Sequence, residues 1–337
     1  MGKTLLEISK EIGVSTATIS RVLTGEDCVS PETREKVLRA VRESGYRKRP
    51  RRRSAELRNN ATVLIIAGQL HNPITLGFID GIRQRLTREG MRTVISLSDY
   101  DTTVECDALK YAAKNGFSGI FMLNAIESKK LCGLIPDIKT PIIFVNRFLH
   151  SLDTDVVTVD NYRCGYLATE YLIERGHRRI AHIAGPGTSV TCRDRTQGYL
   201  DAMREHGIKI DRSYLFYGDR RYKSGCEFGA QIVAMPPERR FTAVFSTTGL
   251  MAAGMVDALR ADGIRVPDDI SVICNDDYSR DYMPCPIDFT TFEQDPKMMG
   301  NTAAELLLER ITAPGGAPKR MVFPPVLTEH NSVILKR

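Results

Sequence analysis

TVLIIAGQLHNPITLGFIDGIRQRLTREG, residues 62–90, places a run of six mostly β-branched apolar residues ahead of an amphipathic stretch that stops at a glycine. The first part has strand composition and the second, from Phe78 onward, has helical spacing. The same alternation continues along the chain. GIFML at 119–123, PIIFV at 141–145, VVTV at 156–159, RIAHIA at 179–184, AVFS at 243–246 and SVIC at 271–274 are strand candidates, and YLATEYLIERG at 166–176 and LMAAGMVDALRADG at 250–263 are helix candidates. Strands alternating with helices give parallel sheets covered by helices. Roughly ten candidates in two groups predict an α/β core of two doubly wound lobes, with ligands bound at the carboxyl ends of the strands, in the cleft between the lobes.

The chain has 337 residues, 42% hydrophobic and 26% charged, enough for two or three units with their own cores. No apolar run approaches the ~18 residues that span a bilayer, and mean hydropathy is −0.22, so no membrane role is expected. The N-terminus carries Lys3, Glu7, Lys10 and Glu11 where a secretory signal needs an unbroken apolar core, which points to the cytoplasm. Eight cysteines stand singly, without C-x-x-C pairs or histidines at ligand spacing. They read as thiols in a reducing compartment, and no metal and no cofactor are expected.

The net charge of +6 is concentrated at one end. Residues 1–60 hold 14 Lys/Arg against 8 Asp/Glu, and the rest of the chain carries 33 of each. RKRPRRR at 47–53 is nearly continuous cation, suited to a polyphosphate. Ahead of it lie signs of three short helices. Leu5, Ile8 and Ile12 follow Thr4 as cap, and Gly13 marks a turn. Ser15 caps TATISRVL, whose Ile19, Val22 and Leu23 face inward. Ser30, Pro31 and Glu32 open a third helix bearing Val37, Leu38 and Val41. This is the spacing of a helix-turn-helix, whose second helix enters the DNA major groove. Thr16, Ala17 and Arg21 would read bases, Arg21 by a bidentate pair to guanine, and Ser20, Ser30, Thr33 and Arg34 would hold phosphates. Thr4 and Ser15 join this DNA-binding set as caps, and capping alone equally explains Ser30 and Thr33.

VSTATISRVL at 14–23 and VSPETREKVLRAVRESGY at 29–46, with HNP at 71–73, VNR at 145–147, VDN at 159–161, RGHRRIAHIAGP at 175–186, RDRTQGY at 193–199, VPDDISVI at 266–273 and NDD at 275–277, resemble the LacI/GalR family of bacterial transcription regulators over essentially the whole chain. The resemblance implies a helix-turn-helix headpiece at 1–47, a basic hinge at 48–61 and a periplasmic-binding-protein-like core at 62–337. Within the core it implies an N-lobe of about 62–158 plus 289–322 and a C-lobe of about 159–288 plus 323–337. It further implies a regulator, a repressor by default with activation left open, that binds a near-palindromic operator in double-stranded DNA as a homodimer, the helix at 76–89 contributing to the interface, and that is nucleoid-associated when on DNA. In the hinge, Arg53 and Ser54 match the family, with Arg51 and Arg52 beside them, but Ala55 replaces the leucine that wedges the minor groove. Either Leu57 takes that place or the extra arginines supply the contacts.

The effector pocket implied by the resemblance contains Asn72, Ile74, Thr75, Arg147, Arg193, Arg195, Arg220, Thr248 and Asp276. Many members carry aromatic residues where this chain has Ile74 and Arg220. Loss of a stacking platform and gain of a cation favour a sugar derivative carrying negative charge over a plain neutral sugar, unless Arg220 faces solvent or pairs with Asp219. An enzyme fused to a headpiece is the rival reading, but phosphate-loop, nucleophile-elbow and zinc-protease motifs are all missing from the sequence. A DNA-binding dimer without an effector is the other rival.

Overall fold

The structure is a computed structural model that describes residues 5–16, 18–19, 22, 30–44, 61–70, 72–123, 125–277 and 285–336. The chain divides into two compact units, 1–57 and 58–337. In the first, the helix Leu5–Ile12, the helical residues Thr16, Thr18, Ile19 and Val22, and the helix Pro31–Glu43 follow in order. Ile8, Ile19, Val22 and Val37 are buried together, the positions that helical spacing assigns inward. Leu38, about 100° further round its helix than Val37, is exposed instead. Gly13 takes the turn between the first two helical segments at φ 66°, a conformation that costs a Cβ-bearing residue energy. The Ser15 hydroxyl accepts from the Thr18 N–H at 3.1 Å, and that of Ser30 from the Thr33 N–H at 3.4 Å, so both serve as caps.

The second unit is built on two sheets. In chain order the strands described are β1 (Thr62–Ala67), β2 (Arg92–Leu97), β3 (Gly119–Leu123), β4 (Ile142–Val145), β5 (Asp155–Val159), β6 (Ile180–Ala184), β7 (Leu215–Tyr217), β8 (Ala243–Ser246), β9 (Ser271–Asn275), β10 (Thr290–Glu293), β11 (Arg320–Phe323) and β12 (Val326–Thr328). The first lobe's sheet has the order β11-β5-β4-β3-β1-β2 and the second's β12-β10-β9-β8-β6-β7. Every pairing is parallel except β10 with β12. Central strands such as β3, β6, β8 and β9 are buried along their whole length, which is why they read as continuous apolar runs.

Among the described residues the chain passes between the lobes three times, after β5, after β10 and between β11 and β12. The lobe boundary expected at 289 is corrected by this topology. Thr290–Glu293 pairs with β9 in the second sheet, so the return to the first lobe falls between Glu293 and the helix Pro296–Thr312. That strand is short and polar, TTFE, and carries no apolar run to reveal which sheet it joins.

Three helix pairs cover the sheets: Pro73–Thr87 with Pro296–Thr312, Asn161–Glu174 with Val190–Glu205, and Tyr222–Val233 with Gly249–Ala261. Each crosses at a pair of glycines, Gly81 with Gly300, Gly165 with Gly198, and Gly225 with Gly254. A Cβ at any of these six would overlap the backbone of the facing helix. His182 lies between the rings of Tyr199 and Phe245, bonded to the Phe245 carbonyl and the Thr196 hydroxyl, and burial holds its pKa down to about 3, so it is a neutral core residue. Among the described residues no helix is long and apolar enough to cross a membrane.

Candidate functional site

A cavity of about 390 Å³ opens between the two lobes of the second unit, at the carboxyl ends of the parallel strands. The first lobe contributes Asn72 and Ile74 beyond β1, Asp99 and Tyr100 after β2, and Asn146 and Arg147 after β4. The second contributes Cys192 and Arg195 beyond β6, Asp219 and Arg220 after β7, Thr248 after β8, and Asp276 after β9. Asp99, Tyr100, Asn146, Arg220 and Asp276 have φ between 49° and 72°, and they are the only non-glycine residues described that have positive φ. Left-handed backbone at a residue with a Cβ costs on the order of 1 kcal/mol. Its confinement to one cavity means the strand ends are bent so that these residues line it.

At the floor, Arg195 and Asp276 are 6% and 7% exposed and form an ion pair at 3.4 Å. Arg195 Nε donates to Asn161 Oδ1 at 2.9 Å and Nη1 to the Thr247 carbonyl at 2.8 Å. Asp276 accepts from Gln294 Nε2 at 2.9 Å and from the Gln294 N–H at 3.3 Å. Asn161 follows the first crossing between lobes and Gln294 lies on the second, so the charge pair is bonded to two of the three segments that join the lobes.

The upper cleft is cationic and aromatic. Arg147 is 3% exposed. Its guanidinium carbon lies 5.9 Å from the centre of the Tyr100 ring, and that of Arg220 lies 5.8 Å from the same centre. Burial, and then the neighbouring charge of Arg220, lower the Arg147 pKa to about 10. A Cβ on Gly68 would overlap the Tyr100 ring, and one on Gly185 would crowd Cys192 and the Arg220 stem, so both glycines leave room for side chains that enter the cleft. Asp219 accepts from the Ser224 hydroxyl at 2.8 Å and from the Arg221 N–H at 2.9 Å, leaving Arg220 without it.

Of the residues expected in the pocket, Asn72, Ile74, Arg147, Arg195, Arg220, Thr248 and Asp276 line the cavity. Asn72 and Thr248 also cap the helices that follow them. Thr75 and Arg193 do not line it. Thr75 is fully buried in its helix, and Arg193 is exposed. Arg193 lies two residues from Arg195, about 200° round the helix, so it faces away. The expected loss of an aromatic platform is corrected, because Tyr100 and Tyr222 line the cavity from other positions. Sequence reasoning missed Tyr100, Asn161 as a partner of Arg195, and Gln294. Recognising RTVISL at 92–97 as a strand would have put Asp99 and Tyr100 at its carboxyl end.

Of the residues expected on DNA, Ser15 and Thr16 are exposed at the start of the second helical segment. Ser30 is exposed and Thr33 and Arg34 half-exposed at the start of the helix Pro31–Glu43. Thr4, Ala17, Ser20, Arg21, Arg51, Arg52, Arg53, Ser54, Ala55 and Leu57 lie outside the described residues.

Residues 4–48 match the bacterial regulatory proteins of the lacI family, and residues 169–333 match the periplasmic binding protein-like domain. The HTH-type transcriptional regulator CelR of Thermobifida fusca is 33% identical over 95% of each chain. The HTH-type transcriptional repressor CytR of Escherichia coli is 30% identical over 91% of this chain and 89% of its own. Among solved structures, a CelR complex with cellobiose superposes with a TM-score of 0.73 at 31% identity, covering 98% of this chain and 99% of that one.

Proposed function

The chain belongs to the lacI family of bacterial regulatory proteins, and from that premise we propose that it is a repressor whose hold on a near-palindromic operator is set by a sugar or sugar derivative bound between its lobes. It is a DNA-binding transcription regulator and not an enzyme. The observation that carries the effector is the Arg195–Asp276 pair. A carboxylate and a guanidinium side by side at the floor of a cleft suit vicinal hydroxyls, which donate to one and accept from the other. Because Asn161 and Gln294 hold the same pair, a ligand that draws on it also acts on the segments joining the lobes. A coupling of ~1–3 kcal/mol between cleft and headpiece is enough to gate DNA binding. The relative solved in complex with cellobiose supports a saccharide-like ligand. The residues proposed to meet it are Asn72, Ile74, Arg147, Arg195, Arg220, Thr248 and Asp276, together with Tyr100.

The working form is a cytoplasmic homodimer. One headpiece reads too few bases for genomic specificity, and a two-fold dimer doubles them. The edge strand β2 supports this, since Val94, Ile95 and Leu97 are 45%, 42% and 45% exposed, and Leu76 on the helix Pro73–Thr87 is 42% exposed. An open apolar edge of this kind is a ready association surface.

The test is the melting temperature of the full chain against neutral sugars, sugar phosphates, sugar acids and nucleosides, with each hit repeated on DNA. A ligand that raises the melting temperature of the wild type but not of Arg195→Ala is the expected result. A ligand response that survives Arg195→Ala would place the effector elsewhere.

A further inference from the structure

Resting on the reading that the cleft holds the effector, we propose that this effector carries an oxyanion, a phosphate or carboxylate on a sugar-sized frame, seated between Arg147 and Arg220 across the ring of Tyr100. Two guanidinium groups converge on one aromatic ring from opposite lobes, at 5.9 and 5.8 Å from its centre. Such groups repel, and the repulsion is felt by a buried Arg147. Holding a second, half-buried cation beside a buried one lowers stability unless a negative charge answers them.

Among the described residues none supplies that charge to Arg220: its guanidinium has no hydrogen-bond or ion-pair partner there, and its Nε is buried without one. The carboxylates that line the cavity are engaged elsewhere: Asp219 with Ser224 and Arg221, Asp276 with Arg195 and Gln294, and Asp99 with the Gln69 amide at 3.4 Å. Glu105, outside the cavity lining, is the buried carboxylate whose charge interacts with Arg147. The backbone at Arg220 is held at φ 72°, and its stem lies against Gly185, so the side chain is directed into the cleft at a cost in strain. Two guanidinium forks match the two or three oxygens of a carboxylate or phosphate. Arg195 and Asp276 line the same cavity below them, within reach of hydroxyls of the same molecule. A cavity of about 390 Å³ accommodates a hexose phosphate or a sugar acid.

The experiment measures melting temperature at constant ionic strength for the wild type, Arg220→Gln and Arg220→Lys. The probes are inorganic phosphate and two matched sets: glucose, glucose 6-phosphate and glucuronate, then ribose and ribose 5-phosphate. Without added anion Arg220→Gln should melt at or above the wild type, because the repulsion is relieved. With phosphate the order should reverse, the variant needing about tenfold or more of the anion for the same shift. Arg220→Lys, which keeps the charge and loses the fork, should fall between. A stronger response to the phosphate esters than to glucuronate assigns a phosphate, and the reverse assigns a carboxylate. The proposal is overturned if phosphate and the charged sugars leave the wild type unmoved, or if they shift wild type and Arg220→Gln equally. A neutral sugar that then still binds, and is lost in Arg195→Ala, leaves the effector reading standing without its anion.

Discussion

A guanidinium and a carboxylate held 3.4 Å apart at 7% and 9% side-chain exposure cannot be separated cheaply. Removing one partner leaves the other charge buried, which costs about 3–5 kcal/mol. Arg195→Ala is therefore expected to lower unfolding stability by that amount in urea. The double variant with Asp276→Ala should lose less than the two single losses combined, and additive losses would show that the pair is not coupled. Glu105 is a second buried charge, 2% exposed, with the Ser98 hydroxyl 3.5 Å from Oε1 and no partner at Oε2. Burial raises its pKa from the ordinary 4.5 to about 7. The folded state therefore holds this proton more tightly than the unfolded chain. Its stabilising contribution is full below pH 4.5 and is lost as pH rises through 7. Glu105→Gln should remove that slope and melt above the wild type at pH 8, and a variant with an unchanged slope would contradict the assignment. At this scale the cleft was readable where a motif marked a residue, as at Arg147, Arg195 and Asp276. It was not readable where position depends on helix phase, as at Arg193, or on a strained loop after an unrecognised strand, as at Tyr100.

Strands legible in the sequence were those buried on both faces, because their apolar runs are unbroken. β2, β11 and β12 lie at sheet edges and are mostly exposed, with composition that blends into the loops around them. The glycine pairs at the helix crossings carried no visible signal either, since their meaning depends on which helices meet. Exposure at β2 has a consequence of its own. Ile95 and Leu97 lie on one face of an open edge, and in the proposed dimer they are covered. Ile95→Lys with Leu97→Lys should yield a monomer by sedimentation at micromolar concentration, while the core melts within a few degrees of the wild type. A dimer that persists would remove this edge from the interface.

Across the whole molecule the division of labour follows charge and topology. All of the excess positive charge lies in the first sixty residues, and the cavity lies between lobes joined by three segments. The order of helix, turn and helix, the two lobes and the cleft between them were all legible, because each rests on a periodicity or a motif. The point of return to the first lobe was not, because a four-residue polar strand does not announce its sheet. The central claim is that occupancy of the cleft sets the grip on DNA. Its most direct test is fluorescence anisotropy of the full chain on DNA selected by that chain from a random pool, with and without a saturating concentration of the ligand that raises its melting temperature. The account predicts a change in DNA affinity of about tenfold or more, absent in Arg195→Ala. DNA affinity unchanged while the cleft is saturated would contradict it.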